Sequence, residues 1–533
     1  MNDPVTHHQQ PSNPSRILLV TGLLLVALIA IYGHILHHAF FHDDAYITLR
    51  YSQNWLDGNG VNWNADERVE GYTSFLHLAL ISLLGLFRID LVIATRIVGL
   101  ACYGAICWLA FTHFRKPGTR GLSCPQFLLL LLVPTSFPLI SWSYGGLETS
   151  LVTLLVMLAS YAFVTTDDKS PQRMLKLGML FSLACLARPD VGLLVAISLG
   201  FLLGRRTSWR SRWTTSGLFV IGFAILYAPY FCWRYSYYGE LLPNTFYAKM
   251  TGFDWFRLRT GLHYVHTFAR IAPYLLPLTL ITSIFLYYRG KWSWNTAYML
   301  SLVGGHTCYI IYTGGDHMPA YRFFVPIIPL MGWIIASAGN ECLSVQRVPA
   351  WSTTGFLILL VTAQVFSTNE RMRNAQRLDP AAAVGADVGH WLADHLPAGS
   401  VVALNTAGST PYHARQLVFI DMLGLNDRQI AHRHHVPIRT HWQRYPGHTK
   451  GDGQYVLSRR PDVIILGPAE GVTADPTHLD QEGVVWFLSD QELAESDNFR
   501  RRYRHQRVVF QGRSGAQRSL TYYRHQPDAG SQP

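Results

Sequence analysis

Residues 16–36 read RILLVTGLLLVALIAIYGHIL, and this stretch decides which kind of fold the chain can adopt. It contains no Asp, Glu or Lys, and no Arg after Arg16. A helix of about 20 apolar residues is long enough to cross the hydrocarbon core of a bilayer, which is about 30 Å thick. The run is longer than the core of a signal peptide, and no small-residue cleavage site follows it. We therefore interpret it as a retained signal anchor.

Further apolar runs follow, and together they predict a polytopic membrane protein. Basic residues collect in alternate short turns, at 113–125, 166–174, 205–214 and 289–292, whereas the turn at 142–147 contains none. Under the positive-inside rule the N-terminus lies inside, and about eleven crossings leave the C-terminus outside. The short run at 74–87 then lies in the interface or re-enters. The candidate spans are residues 16–36, 91–112, 126–141, 148–165, 173–187, 191–204, 215–233, 273–288, 296–313, 322–338 and 352–368.

The composition agrees with this interpretation. Only 14% of the 533 residues are charged and 49% are hydrophobic. The formal net charge of +11 is explained in part by Lys and Arg in the short turns, and the sequence contains no nucleic-acid-binding motif. We therefore expect no nucleic-acid partner. All seven cysteines lie in or beside apolar runs, and a cysteine-free C-terminal region suits a bacterial periplasm.

The predicted fold class is an α-helical polytopic membrane protein with a C-terminal extracytoplasmic α/β domain. We place the membrane domain at residues 1–366, with a first periplasmic loop at 37–73, and the soluble domain at 367–533. The soluble region changes character because short β-type runs alternate with polar loops and a helix at Asp387–His395. The predicted strands are residues 400–403, 417–420, 462–466, 507–510 and 519–523. We expect the whole protein in a bacterial inner membrane, with the soluble domain in the periplasm.

The densest chemical signal is HDDAYITLR at residues 42–50, just after the first span. Two adjacent carboxylates at a lipid–water boundary are costly to desolvate unless they have partners. A helix running to about Asp57 and ending at Gly58 gives one of them a capping role, but not both. We predict that Asp43 and Asp44 are catalytic, as general base or nucleophile. A divalent cation held by the pair is an alternative.

Other polar and charged residues collect at the predicted outer ends of the spans, where ionisable groups are functional candidates. The guanidinium groups of Arg188 and Arg322 and the ammonium of Lys249 are suited to a phosphate, and nearby carboxylates are suited to hydroxyls or to those cations. Such a rim fits a donor with an isoprenoid tail and a phosphosugar head. The predicted donor- or acceptor-binding residues are Arg50, Glu70, Tyr72, Glu148, Arg188, Asp190, Asn244, Lys249, Asp316, His317 and Arg322.

The first loop resembles that of bacterial GT-C glycosyltransferases, in particular the mycobacterial terminal arabinofuranosyltransferases. The resemblance implies a membrane enzyme that moves a sugar from a polyprenyl monophosphate to an extracytoplasmic glycan, with the acidic pair as its catalytic group. In the mycobacterial case it implies an arabinofuranosyl donor. The matching pieces extend in order from about residue 40 to 430: Asp43–Leu49, Gly58–Gly60, Glu67–Thr73, Gly146–Thr149, Ala187–Asp190, Leu242–Thr245 with Lys249, Gly314–Arg322 and Ile420–Asp427.

Two other classes of function remain open at this stage. A transporter or flippase for a lipid-linked substrate would carry polar residues near the bilayer midplane, and such proteins often contain two related halves, which this sequence does not show. A non-catalytic envelope scaffold would not need the acidic pair. The histidines at 432, 434 and 435 are interpreted as a solvated loop rather than a metal site.

Overall fold

The computed structural model describes residues 14–113, 124–165, 170–249, 255–344, 379–439, 442–445, 447–472 and 485–526. Up to residue 344 the described chain is helical. Its helices are α1 (Pro14–His37), α2 (Asp43–Leu56), α3 (Phe75–Leu86), α4 (Leu91–Thr112), α5 (Cys124–Leu132), α6 (Phe137–Tyr144), α7 (Thr149–Thr165), α8 (Pro171–Ala187), α9 (Gly192–Leu203), α10 (Trp209–Tyr238), α11 (Asn244–Lys249), α12 (Trp255–Ile271), α13 (Leu276–Tyr288), α14 (Trp294–Thr313) and α15 (Ile328–Ser344). Short 3₁₀ helices precede α9 (Pro189–Val191) and α15 (Arg322–Ile327).

Local sequence signals set the ends of the long helices. Asp90 caps α4 by accepting hydrogen bonds from the backbone N–H groups of residues 92 and 93, and Ser208 and Ser293 cap α10 and α14 in the same way. Gly239 and Gly314 follow the last turns of α10 and α14 with φ of 74° and 90°, a backbone conformation that glycine adopts without a steric penalty. Each helix therefore stops where the polar loop has to begin.

Three helical segments in the described ranges are long and apolar enough to cross a membrane: Leu91–Thr112, Trp209–Tyr238 and Arg322–Gly339. The pair α12 and α13 adds a fourth if it is counted as one span, although the two helices meet at 80°. The run predicted as one span at 126–141 is divided into α5 and α6, because Pro134 and Pro138 interrupt the backbone hydrogen bonding between them. The count of eleven crossings stays a prediction, and the run at 352–368 lies outside the described residues.

The C-terminal region forms a five-stranded sheet flanked by helices. The strand order is β2-β1-β3-β5-β4; β2, β1 and β3 are parallel, whereas β5 pairs antiparallel with β3 and β4. Each predicted strand overlaps an observed one, and the predicted helix lies in α16. The elements are α16 (Pro380–His395), β1 (Val401–Leu404), α17 (Ser409–His413), β2 (Val418–Asp421), α18 (Arg428–Ala431), α19 (Gly453–Ser458), β3 (Val463–Ile464), α20 (Leu488–Glu495), α21 (Asp497–Arg502), β4 (Tyr503–Gln511) and β5 (Gln517–His525), with a 3₁₀ turn at Trp442–Arg444.

The sheet region packs on the first loop of the helical region. One apolar core contains Tyr51 and Trp63 from that loop together with Val402 and Phe419 from the sheet. The amide of Asn64 donates to the backbone oxygen of Phe419 at 2.8 Å and its oxygen accepts from the backbone N–H of the same residue at 3.2 Å. The first loop is consequently held by residues that are more than 300 positions away in the sequence.

Candidate active site

The helix α2 begins at the acidic pair and points its two carboxylates into different surroundings. His42 is the N-cap, and its Nδ1 accepts a hydrogen bond from the backbone N–H of Asp44 at 3.2 Å. The expectation that one Asp of the pair caps this helix is therefore wrong, because the imidazole of the preceding residue fills that position. Neither carboxylate is used by the cap, and their roles follow from what each of them faces.

Asp43 faces the C-terminal region and is buried. Its Oδ1 accepts a hydrogen bond from the backbone N–H of Ser409 at 2.8 Å, and its own N–H donates to Oδ2 of Asp379 at 3.2 Å. The backbone comes so close at Gly408 that a Cβ there would clash with the backbone oxygen of Asp43. Burial raises the pKa of Asp43 to about 7, with the neighbouring Asp44 and Asp379 adding to the rise against the backbone hydrogen bonds.

Asp44 is only half-buried and faces a group of cations and histidines. Burial alone would raise its pKa, yet the pKa lies below its ordinary value because His42, His317, Lys249 and Arg322 favour the anion. At neutral pH Asp44 is therefore ionised. Two adjacent residues of one type thus differ in exposure, partners and protonation, which is how active sites separate the tasks of paired carboxylates.

The loop between α14 and the following 3₁₀ helix supplies one wall. Asp316 is buried, with 5% of its side chain exposed, and its Oδ2 accepts from Nε of Arg322 at 2.8 Å. His317 is 40% exposed, and its Nδ1 lies 3.7 Å from Oδ1 of Asp316. Ala320 and Tyr321 both have positive φ, 56° and 46°, a strained conformation for residues with a Cβ. Strain of this kind concentrates at functional sites, where the surrounding structure holds it in place.

A second ion pair forms the floor. Arg188 lies 2.9 Å from Oδ2 of Asp190, and its guanidinium stacks over the ring of Phe323 at 4.8 Å. Nη1 of Arg188 is buried and has no hydrogen-bond partner among the residues that the structure describes. Arg188 also interacts electrostatically with Glu148 and Asp316. A buried guanidinium N–H without a partner is costly, so this atom is a ready donor for an anionic ligand.

Lys249, the last residue of α11, is the third part of the site. Lys249 is an exposed residue, and its ammonium interacts with Asp44, Asp316 and Glu148. The site thus brings together seven of the predicted binding residues with Asp44, all from segments far apart in the sequence: Glu148, Arg188, Asp190, Lys249, Asp316, His317 and Arg322. Asp44, Lys249 and His317 form its accessible side, and the two ion pairs form its base.

The other four predicted binding residues hold the scaffold together. Arg50 donates to the backbone oxygens of residues 63, 411 and 417, and its guanidinium lies over the rings of Trp63 and Phe419. Glu70 pairs with Arg234 at 2.6 Å. The hydroxyl of Tyr72 accepts from that of Tyr238 at 3.2 Å, and the amide of Asn244 donates to the backbone oxygens of residues 424 and 425 at 2.9 Å. The structure does not bring these side chains to Asp44.

One residue of the site escaped the sequence analysis. The ring of His448 lies 5.1 Å from that of His317, and a Cβ on the preceding Gly447 would lie 3.6 Å from Cε of Lys249. His448 belongs to the C-terminal region, where a lone histidine in a polar loop carries no spacing signal. The solvated loop expected from the sequence concerns a different group of histidines, at 432, 434 and 435. Of these, His432 has its ring centroid 4.2 Å from that of Tyr247.

The side chains of the described residues do not form a group of three or more His, Cys, Asp or Glu with the arrangement of a metal site. The neighbours of Asp44 are instead mostly cationic.

The fold matches a known class of membrane enzyme. The structure of the archaeal oligosaccharyltransferase AglB from Archaeoglobus fulgidus, in complex with an inhibitory peptide and a dolichol-phosphate, superposes with a TM-score of 0.53 over 95% of this chain and 74% of that chain, at 11% sequence identity. The chain therefore has the helical membrane fold of GT-C glycosyltransferases, followed by a C-terminal sheet region. At this identity the likeness establishes the fold only.

Sequence relatives narrow the class. The chain is 30% identical over 257 residues to the terminal beta-(1->2)-arabinofuranosyltransferase of Mycobacterium tuberculosis. The aligned region covers 45% of this chain and 39% of that protein. It is 26% identical over 381 residues to the enzyme of the same name from Corynebacterium glutamicum, covering 61% of this chain and 51% of that protein. The predicted resemblance to these GT-C enzymes is confirmed, while the matches span about half or less of the relatives' own length. Residues 370–523 also match a domain of unknown function, DUF8728.

Proposed function

We propose that this protein is a membrane glycosyltransferase that transfers a sugar from a polyprenyl monophosphate donor to an extracytoplasmic glycan or glycoconjugate. The observation that carries the proposal is the state of Asp44, an ionised and half-buried carboxylate that faces Lys249, His317 and Arg322. An anion held among cations at the rim of a membrane domain serves a reaction in which a proton is taken up and a phosphate departs.

The chemistry follows from these neighbours. Asp44 accepts the proton of an acceptor hydroxyl as its oxygen forms a bond to the anomeric carbon of the sugar. The bond between that carbon and the phosphate oxygen breaks, and its electron pair leaves with the polyprenyl phosphate. Lys249 and Arg322 lie beside Asp44, so they are placed to stabilise the negative charge that develops on the phosphate. Nη1 of Arg188, buried without a partner in the described chain, is a further donor for a phosphate oxygen.

We assign a supporting role to Asp43. Its carboxylate is already engaged by Ser409 and is buried against the C-terminal region, so it does not present a free edge to a substrate. It holds the first turn of α2 to that region and thereby fixes the direction of Asp44. In this proposal Asp44 is the catalytic residue and Asp43 a positioning residue.

The relatives guide the choice of sugar and location. Both curated relatives are named terminal beta-(1->2)-arabinofuranosyltransferases, which makes arabinofuranose the first sugar to test. The basic turns support an N-terminus in the cytoplasm and an acidic pair on the other side of a bacterial inner membrane. The soluble part of the protein, 367–533, would then lie in the periplasm.

A transfer assay tests the proposal. The purified full chain is incubated with a panel of synthetic polyprenyl-phosphoryl sugars, including arabinofuranose, and an arabinan oligosaccharide, and the lengthened product is measured by mass spectrometry. We expect transfer from at least one donor and its loss in Asp44→Asn. Asp57→Asn, the same exchange at the exposed end of the same helix, is the matched control. Undiminished transfer by Asp44→Asn would refute the catalytic assignment, and no transfer from any donor would favour a transporter or scaffold.

A further inference from the structure

The C-terminal region delivers one loop to the candidate active site, and that loop is firmly anchored at its base. The backbone N–H of Asp452 donates to Oγ of Ser489 at 2.9 Å, and the N–H of Gly453 donates to Oε2 of Glu492 at 2.8 Å. Lys450 is buried and donates to the backbone oxygen of Arg433 at 2.5 Å. Because these bonds tie the loop to α20 and its neighbours, whatever the loop carries at its tip is held in a fixed place.

The loop carries Gly447 and His448 at its tip. The ring of His448 contacts two others: it is nearly parallel to the ring of Phe487, with the ring centroids 5.6 Å apart, and nearly perpendicular to the ring of His317, with the centroids 5.1 Å apart. His448 also interacts electrostatically with Asp44 and Lys249. Three residues of the membrane domain that line the accessible side of the site are thus its neighbours, although His448 is more than 120 positions away from each of them in the sequence.

The imidazole of His448 is neutral at physiological pH and has an unused nitrogen. Burial, together with the nearby His317 and Lys249, lowers the pKa of His448 to about 4, against the opposing effect of Asp44. Nδ1 of His448 is buried and has no hydrogen-bond partner within the described ranges. A neutral imidazole presents one donor and one acceptor nitrogen, which matches a hydroxyl group better than it matches a phosphate.

We propose that His448 binds a hydroxyl of the donor's sugar through Nδ1, beside the phosphate held by Lys249. This inference rests on the proposed function and extends it, since it names a residue of the C-terminal region as part of the donor-sugar site. Gly447 brings the tip of the loop close to the cation proposed to hold the phosphate, since a Cβ there would lie 3.6 Å from Cε of Lys249.

The experiment compares the binding of two ligands that differ only in the sugar. The purified full chain in nanodiscs is titrated with a polyprenyl-phosphoryl sugar and with the same polyprenyl phosphate without sugar. His448→Phe keeps a ring in contact with His317 and Phe487 but removes the nitrogens, whereas His448→Asn keeps one donor and one acceptor. His435→Ala, at an exposed histidine of the same region, is the control.

We expect His448→Phe to bind the sugar-bearing donor about tenfold more weakly, which corresponds to one hydrogen bond, and to bind the sugar-free lipid as the unchanged protein does. His448→Asn should stay within about threefold of the unchanged protein for both ligands. Equal weakening for both ligands, or no weakening for the donor, would overturn the inference. His448→Ala provides the same comparison if the Phe variant does not fold.

Binding and transfer by the unchanged protein distinguish a failure of the proposed function from a failure of the role of His448. If it binds the sugar-bearing donor but transfers nothing to any acceptor, the proposed function fails while the role of His448 is still decided by the variants. If it binds neither lipid, both proposals fail. Transfer that is normal in His448→Phe at low donor concentration would refute the role of His448 alone.

Discussion

Asp43 and Asp44 are adjacent in the sequence, but their surroundings differ in the kind of contact and in exposure. Around Asp43 the contacts are hydrogen bonds to backbone and a carboxylate of the C-terminal region, with no room for even a Cβ at Gly408. Around Asp44 the neighbours are the buried His42 and the exposed or half-buried side chains of Lys249, His317 and Arg322. The first arrangement fixes a backbone, and the second one leaves a carboxylate free to act.

The rate of transfer gives the largest expected effect and tests the comparison directly. Replacing Asp44 by Asn removes the proton acceptor, and we expect transfer to fall by about 10²- to 10⁴-fold. Replacing Asp43 by Asn keeps an oxygen that can accept from Ser409, so a much smaller loss is expected. Initial rates of both variants, measured side by side with equal amounts of folded protein, provide the check. Equal losses would mean that the two carboxylates act as one unit.

The wall that contains Asp316 and Arg322 should respond next. Arg322→Gln removes the charge that pairs with Asp316 and faces Asp44. The loss of one charge-assisted contact to a phosphate is worth about 1.5–3 kcal/mol, or about ten- to a hundredfold in kcat/KM. We expect the pKa of Asp44 to rise as well, so the acid limb of the pH–rate profile should move to higher pH. A rate loss with an unmoved profile would contradict the electrostatic coupling.

Gly408→Ala tests the packed side of the comparison. A Cβ at this position would overlap the backbone oxygen of Asp43, and the resulting shift should lower the free energy of unfolding by about 1–3 kcal/mol. Gly399→Ala is a contrasting control, because a Cβ there meets open space although its positive φ adds strain. Denaturation in detergent measures both variants. A Gly408→Ala protein as stable and active as the parent would show that the contact at Asp43 is not needed.

The smallest effect concerns pH. Because the folded-state pKa of Asp43 is raised to about 7, above that of an unfolded Asp, its contribution to stability is complete at low pH and is lost as the pH rises through 7. Between pH 6 and pH 8 this amounts to about 1 kcal/mol. Asp43→Asn should flatten that part of the stability profile, measured as the thermal midpoint at both pH values. An unchanged slope would assign the pH dependence to another group.

Much of the fold could be predicted from the sequence, because its signals are local. The length of α2, the strands β1 and β2, and the breaks at Arg188 and Gly314 follow from apolar runs and turn residues that stand close together in the chain. Pro134 and Pro138 were equally visible, and giving them more weight would have predicted the division into α5 and α6.

The assignment of roles within the site was less accessible, since it depends on docking between distant segments. Arg50, Glu70 and Tyr72 belong to the loop of the acidic pair, yet they hold it to α10 and the sheet region instead of joining Asp44. No spacing rule distinguishes Asp43 from Asp44 before Ser409 arrives 366 positions later. His448 was missed for the same reason.

The 80° angle between α12 and α13 has a consequence for the orientation of these helices in the bilayer. Two helices that meet at 80° cannot both run parallel to the membrane normal, and we expect α12 to be the one that lies along the bilayer surface. Trp255 and Leu262 of α12 are exposed. If α12 lies along the bilayer surface, these side chains would insert among the lipid headgroups. The short α11, which ends at Lys249, would then be held at a constant depth relative to the membrane surface.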